Sequence, residues 1–136
     1  MKLATLVRYA VRILFELKKN SSPLSISLIS RKTGIAPRTV ENLHASLSRS
    51  GLTAGTVGAR GGISLSVPLQ EISLGRLIAI LDEGVDFSVC CGEKANECPN
   101  QLNCVRRAVW NGISAEFQKS LDNISLEEIL RQYPRE

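Results

Sequence analysis

The stretch from Ser25 to Val67 constrains the fold more than any other part of the sequence. It contains two short segments with helical periodicity, 25–33 and 37–50, separated by a turn at Gly34. Ser25 is a suitable N-cap, and Pro37 suits the first position of a helix because that position needs no backbone N–H. Two short helices joined in this way predict a helix-turn-helix.

A glycine-rich hairpin is predicted directly after the second of these helices. Residues 52–57 and 63–67 have extended character, and Gly58-Ala59-Arg60-Gly61-Gly62 lies between them. Glycine clusters between two such runs are typical of a β-hairpin turn. A hairpin in this position is the wing of a winged helix-turn-helix.

The rest of the chain has helical patterns. We expect a first helix over 2–18, a fourth capped by Ser73, a long helix that ends near residue 122 and a short last helix with the capping box Ser125–Glu128. The predicted fold is therefore mainly α with a small β-hairpin wing. It is a winged helix-turn-helix with a long C-terminal dimerisation helix.

The two halves of the 136-residue chain differ in charge. Residues 1–62 carry ten Lys/Arg and two Asp/Glu, which gives +8, whereas residues 63–136 carry seven and eleven, which gives −4. A basic half favours a polyanionic partner such as double-stranded DNA, although a solvated basic face would have the same charge. We predict a DNA-binding domain over 1–70, and a cysteine loop (about 85–104) with dimerisation helices over 71–136.

The outer face of the second helix of the predicted helix-turn-helix suits a DNA major groove. Arginine can bond guanine, asparagine can pair with adenine, and glutamate can accept from cytosine. Basic residues at the end of the preceding helix are placed for phosphates, and an arginine in the wing suits a narrow minor groove. The alternative, a solvated helix face, is weakened by the neighbouring wing. The residues predicted to bind DNA are Arg31, Lys32, Arg38, Thr39, Glu41, Asn42, Arg49 and Arg60.

Other classes of protein are disfavoured. No run of eighteen apolar residues could cross a membrane, and Arg8, Arg12 and Glu16 interrupt the apolar N-terminal stretch, so we expect a cytoplasmic protein. The single histidine, His44, has no evident nucleophile partner, so we expect no enzyme. We interpret His44 as a structural residue or a phosphate contact rather than a metal ligand.

All four cysteines lie within residues 90–104. Cys90 and Cys91 are adjacent, six residues separate Cys91 from Cys98, and five separate Cys98 from Cys104. This spacing lacks the paired C-x-x-C motifs of common structural zinc sites. Widely spaced thiolates in a loop with little means to fold alone favour an iron–sulfur cluster, [2Fe-2S] or [4Fe-4S]. A zinc site and a thiol/disulfide switch remain alternatives.

An apolar stripe follows the cysteines at every fourth position of the long helix. It is too long for a small domain to bury alone, so we predict that a homodimer buries it. The predicted interface residues are Val105, Val109, Ile113, Phe117 and Leu121.

Several short motifs together identify a family. They are Arg8-Tyr9-Ala10-Val11, Gly34-Ile35, Val40-Glu41-Asn42-Leu43, Gly51-Leu52, Gly61-Gly62-Ile63-Ser64-Leu65, Asp82-Glu83-Gly84-Val85-Asp86, Cys104, Ala108-Val109-Trp110 and Leu121-Asp122-Asn123-Ile124-Ser125-Leu126. With these motifs the sequence resembles, over nearly its whole length, the winged-helix iron–sulfur transcription regulators represented by IscR, NsrR and RirA.

The resemblance implies a homodimer built on the long helix and a cluster ligated by Cys91, Cys98 and Cys104. It also implies control of genes for cluster assembly, iron supply or nitrosative and oxidative stress. The sequence departs from the family at the fourth ligand: the two positions used by relatives are Arg107 and Arg8 here, and guanidinium has no lone pair to donate.

The fourth ligand is therefore open. Cys90 is the remaining thiol of the chain, and the alternatives are Glu93, Glu97, Asp86, a residue of the other subunit or a small exogenous thiol. The wing also departs from the family, because Val57 stands where an arginine often precedes the first glycine, and Arg60 can take its place.

Three functions compete at this point. The first is a DNA-binding transcription regulator, such as a repressor, gated by a cluster that senses cluster status, iron or redox and nitrosative stress. The second is a cluster-free regulator that uses zinc or cysteine oxidation. The third is a small iron–sulfur redox protein, which the basic half and the wing disfavour because an electron carrier needs neither.

Overall fold

The structure is a computed structural model, and it describes residues 5–81, 97–100 and 102–132. The described residues form six α-helices, one antiparallel hairpin and a short 3-10 helix. In chain order these elements are α1 (Thr5–Lys19), α2 (Ile26–Thr33), α3 (Pro37–Arg49), β1 (Thr53–Thr56), β2 (Gly62–Leu65), the 3-10 helix (Leu69–Glu71), α4 (Leu74–Leu81), α5 (Val105–Asp122) and α6 (Leu126–Gln132). The predicted mainly helical winged helix-turn-helix is confirmed. Most of the predicted cysteine loop lies outside the described residues.

The helix boundaries follow from local side-chain chemistry. The hydroxyl oxygens of Ser25, Ser73 and Ser125 each accept a backbone N–H from three residues later, at 3.1–3.2 Å. Pro37 occupies the first turn of α3. Gly34 ends α2 in the left-handed region, at φ 73°, a conformation that costs glycine little. These caps confirm the boundaries predicted from the sequence.

The hairpin is anchored to the helix-turn-helix at its second strand. β1 and β2 pair antiparallel, with Thr53 opposite Leu65. Leu24, which precedes α2, exchanges two backbone hydrogen bonds with Ile63 of β2, at 2.9 and 2.8 Å. A Cβ at position 62 would lie 2.5 Å from the carbonyl oxygen of Leu24, so this close approach requires Gly62.

One hydrophobic core joins the N-terminal and C-terminal parts of the described chain. α1 contributes its predicted apolar face: Val7, Ala10, Ile13, Leu14 and Leu17. α3 contributes Val40, Leu43 and Leu47, and the C-terminal helices add Leu121 and Leu126 to the same cluster. The two predicted domains therefore share a core.

One end of the predicted apolar face of α1 differs from expectation. Leu6 is 46% exposed, whereas its neighbour Val7 in the same first turn of α1 is fully buried, so Leu6 lies outside the face that packs on the core. Leu3 lies outside the described residues.

α4 and α5 pack closely and flank the cysteine-bearing segment. α4 ends at Leu81 and α5 begins at Val105. The close packing depends on Gly75, because a Cβ there would overlap the side chain of Asp122 on α5. None of the helices in the described ranges is both long enough and apolar enough to cross a membrane.

Candidate functional site

The outer face of α3 is the centre of the candidate DNA interface. Three buried side chains on the opposite face, Val40, Leu43 and Leu47, fix which side of α3 faces solvent. The predicted base-reading residues lie on the solvent side. Arg38, Glu41, Asn42 and Arg49 are exposed and Thr39 is half-buried.

Among the residues that the structure describes, the charged groups of this face make weak contacts. Nη1 of Arg38 lies 3.9 Å from Oε2 of Glu41, and the two side chains are 85% and 49% exposed. Arg49 donates to the hydroxyl of Ser46 at 3.4 Å. Exposed ion pairs of this kind contribute little to stability. These side chains can therefore exchange their present partners for bases or phosphates at small cost.

Basic side chains flank α3 on both sides. Arg31 and Lys32 are exposed in the last turn of α2, and Arg60 is exposed in the loop between β1 and β2. The loop is closed by backbone contacts: the N–H of Gly61 donates to the carbonyl of Gly58 at 3.0 Å. A Cβ at Gly61 would overlap the carbonyl of Thr56, so only glycine fits there.

Two arginines that the sequence analysis did not single out as functional hold the helix-turn-helix in place. Arg12 of α1 donates to the carbonyl of Thr33 at the end of α2, at 3.2 Å. Arg76 of α4 donates to the carbonyl of Ser50 at the end of α3, at 3.3 Å. Cations are favourable at helix C-termini. Both pairs join residues far apart in sequence, so no local pattern indicates them.

His44 is structural, as one of the two interpretations of the sequence held. Its Nδ1 lies 3.0 Å from Oγ1 of Thr53, so the imidazole hydrogen-bonds the start of β1. The ring is half-buried. Burial disfavours the charged imidazolium and lowers the pKa of His44 from its ordinary value of 6.5.

Two of the predicted cluster ligands lie within the described residues. Cys98 and Cys104 are free, half-buried thiols, and Cys104 is the N-cap residue of α5. Cys90 and Cys91 lie outside the described residues. Within the described part of the chain, no group of three or more His, Cys, Asp or Glu side chains is close enough together to hold a metal ion. Free thiols are the donors that an iron–sulfur cluster requires, so Cys98 and Cys104 fit that group.

The apolar stripe of α5 is divided between solvent and core. Val105, Val109 and Ile113 are 85%, 59% and 42% exposed. Phe117 is half-buried against the core of its own chain, and Leu121 lies within that core at 9% exposure. The exposed part of the stripe is therefore the first half of α5, next to Cys104.

Comparison with known proteins assigns the family. The model of the Rrf2 family, described as iron-dependent transcriptional regulators, matches residues 3–132. The chain belongs to the Rrf2 family. It is therefore a helix-turn-helix transcriptional regulator that binds DNA, and Rrf2 proteins of this kind are not enzymes.

The Rrf2 relatives include regulators named IscR. The chain is 33% identical over 132 residues to IscR of Vibrio vulnificus, which covers 96% of this chain and 77% of the relative. It is likewise 33% identical over 132 residues to IscR of Aliivibrio salmonicida, with the same coverage.

Solved Rrf2 structures share the fold over almost the whole chain. The structure of T. potens IscR superposes with a TM-score of 0.73 at 25% identity, covering 97% of this chain and 88% of that one. CymR, the global cysteine regulator of B. subtilis, gives 0.73 at 28% identity and 98% coverage of both chains. The oxidized form of Staphylococcus aureus CymR gives 0.67 at 27% identity, with 95% coverage of both.

Proposed function

We propose that this Rrf2 regulator binds a palindromic DNA site as a homodimer, and that an iron–sulfur cluster sets its affinity for that site. Residues 1–70 carry the DNA interface, and residues 71–136 carry the cluster and the dimer contact. Base and phosphate contacts come from the predicted set: Arg31, Lys32, Arg38, Thr39, Glu41, Asn42, Arg49 and Arg60. Half-sites one helical turn apart, or a multiple of it, suit a two-fold dimer.

The main support for the proposed cluster gating is the position of Cys104. Cys104 directly precedes α5, whose first turns expose Val105 and Val109. A group held by Cys98 and Cys104 therefore adjoins the surface on which we place the second subunit. Gain or loss of that group can change how α5 begins and how two copies pair.

A continuous set of contacts leads from α5 to the DNA interface. α5 packs on α4 at Gly75, and Arg76 of α4 donates to the end of α3 at the carbonyl of Ser50. A change at the start of α5 can thus bias the orientation of the recognition helix. These contacts provide a physical path between the cluster site and α3, and DNA-binding experiments measure the coupling between them.

Three thiolates are proposed as ligands: Cys91, Cys98 and Cys104. When bound, the cluster supplies iron that responds to oxidants and to small ligands. Cys90 is proposed as the fourth ligand, with Glu93, Glu97, Asp86, a group of the other subunit or an exogenous thiol as alternatives. The similarity to IscR proteins and the iron-dependence in the description of the Rrf2 family support a cluster.

A cluster-free regulator is the second candidate. The similarity to CymR, whose Staphylococcus aureus structure includes an oxidized form, favours cysteine oxidation as the signal. Cys98 and Cys104 are free and half-buried, as a thiol switch or a zinc site also requires.

The experiment is a set of four Cys→Ala variants purified without oxygen, with iron, sulfide, zinc and visible absorption measured for each. We expect wild type to contain iron and sulfide in equal amounts, and the Cys91, Cys98 and Cys104 variants to lose them. If Cys90→Ala keeps a full, unshifted cluster, Cys90 is not a ligand. Colourless wild-type protein that contains zinc, or that forms disulfides on oxidation, would replace the cluster with the second candidate.

A further inference from the structure

The recognition helix and the wing meet at one hydrogen-bonded pair of side chains. Nδ1 of His44, on α3, lies 3.0 Å from Oγ1 of Thr53, the first residue of β1. Thr53 is 3% exposed, so its hydroxyl is removed from water and depends on a partner within the protein. The two residues are nine positions apart and belong to the two elements that are proposed to read DNA.

The backbone of β1 also lies against the imidazole ring. A Cβ at Gly55 would be 3.3 Å from Nε2 of His44, tighter than ordinary van der Waals contact. Gly55 has no side chain, and this lets the strand approach the ring. β1 therefore lies beside His44 at two positions: Thr53 hydrogen-bonds Nδ1, and the absence of a side chain at Gly55 leaves room for the other ring nitrogen.

The hairpin is attached to the helices at both of its strands. An isolated two-stranded hairpin is marginally stable in water. β2 is attached to the segment before α2 by the backbone hydrogen bonds between Leu24 and Ile63. Leu52, directly before β1, donates its backbone N–H to the carbonyl of Leu47 on α3 at 2.9 Å, and the His44–Thr53 pair adds a side-chain attachment within β1 itself. With both strands attached, the direction of the hairpin relative to α3 is fixed.

The geometry makes the wing tip sensitive to this attachment. Thr53 lies at the base of β1, and the loop that holds Arg60 begins three residues later, after Thr56. At about 3.3 Å per residue the end of β1 is roughly 10 Å from the attachment, and Arg60 lies beyond it, so a tilt of about 10° moves the wing tip by ~2 Å or more. A displacement of that size is enough to break a hydrogen bond to DNA.

We infer that His44 is a positioning residue for DNA recognition, which sets the angle between α3 and the wing so that both engage one duplex. The inference rests on the proposed DNA contacts of α3 and Arg60. His44 itself need not touch DNA. His44 holds β1 against α3, and the contribution of Arg60 to DNA affinity depends on this contact.

The test begins with the site that wild-type protein selects from a random duplex library. Thr53→Val removes the hydroxyl at nearly constant shape, and Thr53→Ser is the matched control that keeps it. We expect Thr53→Ser to select the wild-type site. Thr53→Val should keep the base pairs read by α3 and lose preference at the flanking positions read by the wing. General destabilisation would instead weaken all positions alike.

A double-mutant cycle with Arg60→Ala then measures the coupling. In the wild-type background Arg60→Ala should weaken binding to the selected site by about tenfold. In the Thr53→Val background the same change should lower the affinity by less than about threefold, because the wing no longer holds Arg60 against the duplex. Equal costs in both backgrounds, with unchanged flanking preferences, would overturn the inference.

A second pair of variants keeps the inference testable if Thr53→Val does not fold. His44→Asn places a hydrogen-bonding group near the position of Nδ1 and should keep the wild-type preference at the flanking positions. His44→Leu removes that group and should lose the flanking preference. Equal behaviour of these two variants would also overturn the inference. If wild-type protein selects no site at all, the proposed function fails instead, and if Arg60→Ala has no effect on wild type, the wing contact fails.

Discussion

Asn42 has the side chain on the exposed face of α3 that is best suited to read one particular base. Its amide can donate and accept at once, and adenine presents a matching acceptor and donor in the major groove. We expect Asn42→Ala to cost roughly 1–3 kcal/mol at the selected site and to relax the preference at one base pair per half-site. Competition binding with single-base substitutions of the site measures both effects.

Gln70→Ala is the matched control for Asn42→Ala, because Gln70 is an exposed amide away from α3. It should leave affinity and preference unchanged. The proposed role of Asn42 is wrong if Asn42→Ala discriminates between bases as well as wild type does.

His44 makes the stability of the chain depend on pH in a defined direction. Its pKa is lowered from 6.5 by burial, and the paired strand residues 53–56 and 62–65 carry no ionisable side chain to offset this. The nearest charged groups along the chain are Glu41, three residues earlier, and Arg49, five residues later, both on α3. The unfolded chain therefore binds more protons than the folded chain between the lowered pKa and 6.5.

The free energy of unfolding should consequently fall as the pH drops below 6.5, and should level off below the lowered pKa of His44. Denaturant unfolding of wild type and His44→Asn across this range isolates the effect, since the chain contains one histidine. The same pH dependence in both proteins would show that His44 does not carry it.

At the residue scale, exposure could be predicted from the sequence and long-range pairing could not. Helical periodicity was enough to place Arg38, Asn42 and Arg49 on the outer face of α3. The partner of His44 is on another element, and threonine is common in strands whether or not it is paired. Nothing in the local pattern indicates Thr53.

At the scale of elements, α5 combines two roles in one helix. Val109 and Ile113 face solvent in the single chain, whereas Leu121 belongs to the core. A change in the first half should therefore affect pairing of subunits, and a change in the second half should affect folding. We therefore propose that, of the predicted interface residues, those in the exposed first half of α5 pair the subunits, with the half-buried Phe117 at the edge of that surface.

We expect Ile113→Asp to give a folded monomer, because the change adds a charge to the surface on which we place the second subunit. Leu121→Ala should instead lower the free energy of unfolding by about 2–5 kcal/mol, as for other large-to-small changes in a core. Sedimentation and thermal unfolding, each over a range of protein concentrations, separate the two effects. A wild-type monomer at micromolar concentration would contradict the proposed dimer.

The elements themselves could be predicted because their ends are set by neighbouring residues. Ser25, Ser73 and Ser125 cap their helices through contacts three residues away, which a sequence shows directly. The bridge between Leu24 and Ile63 and the packing at Gly75 join distant segments. These two contacts form only when the core is assembled, so the sequence alone does not predict them.

At the scale of the whole molecule, the charge division and the shared core belong to one arrangement. The +8 half carries the residues that we propose contact DNA, and the −4 half carries the cysteines and α5. Because buried residues from both halves form one cluster, the halves are coupled through packing rather than through a linker. A change near Cys104 therefore has a physical route to α3.

The most direct test of cluster gating is the affinity of one protein preparation for its selected duplex, measured without oxygen before and after removal of the cluster. We predict that the two affinities differ by about tenfold or more, within the range usual for allosteric coupling. Cys98→Ala and Cys104→Ala should bind with the cluster-free affinity throughout. Equal affinities for the loaded and the cluster-free protein would contradict the account.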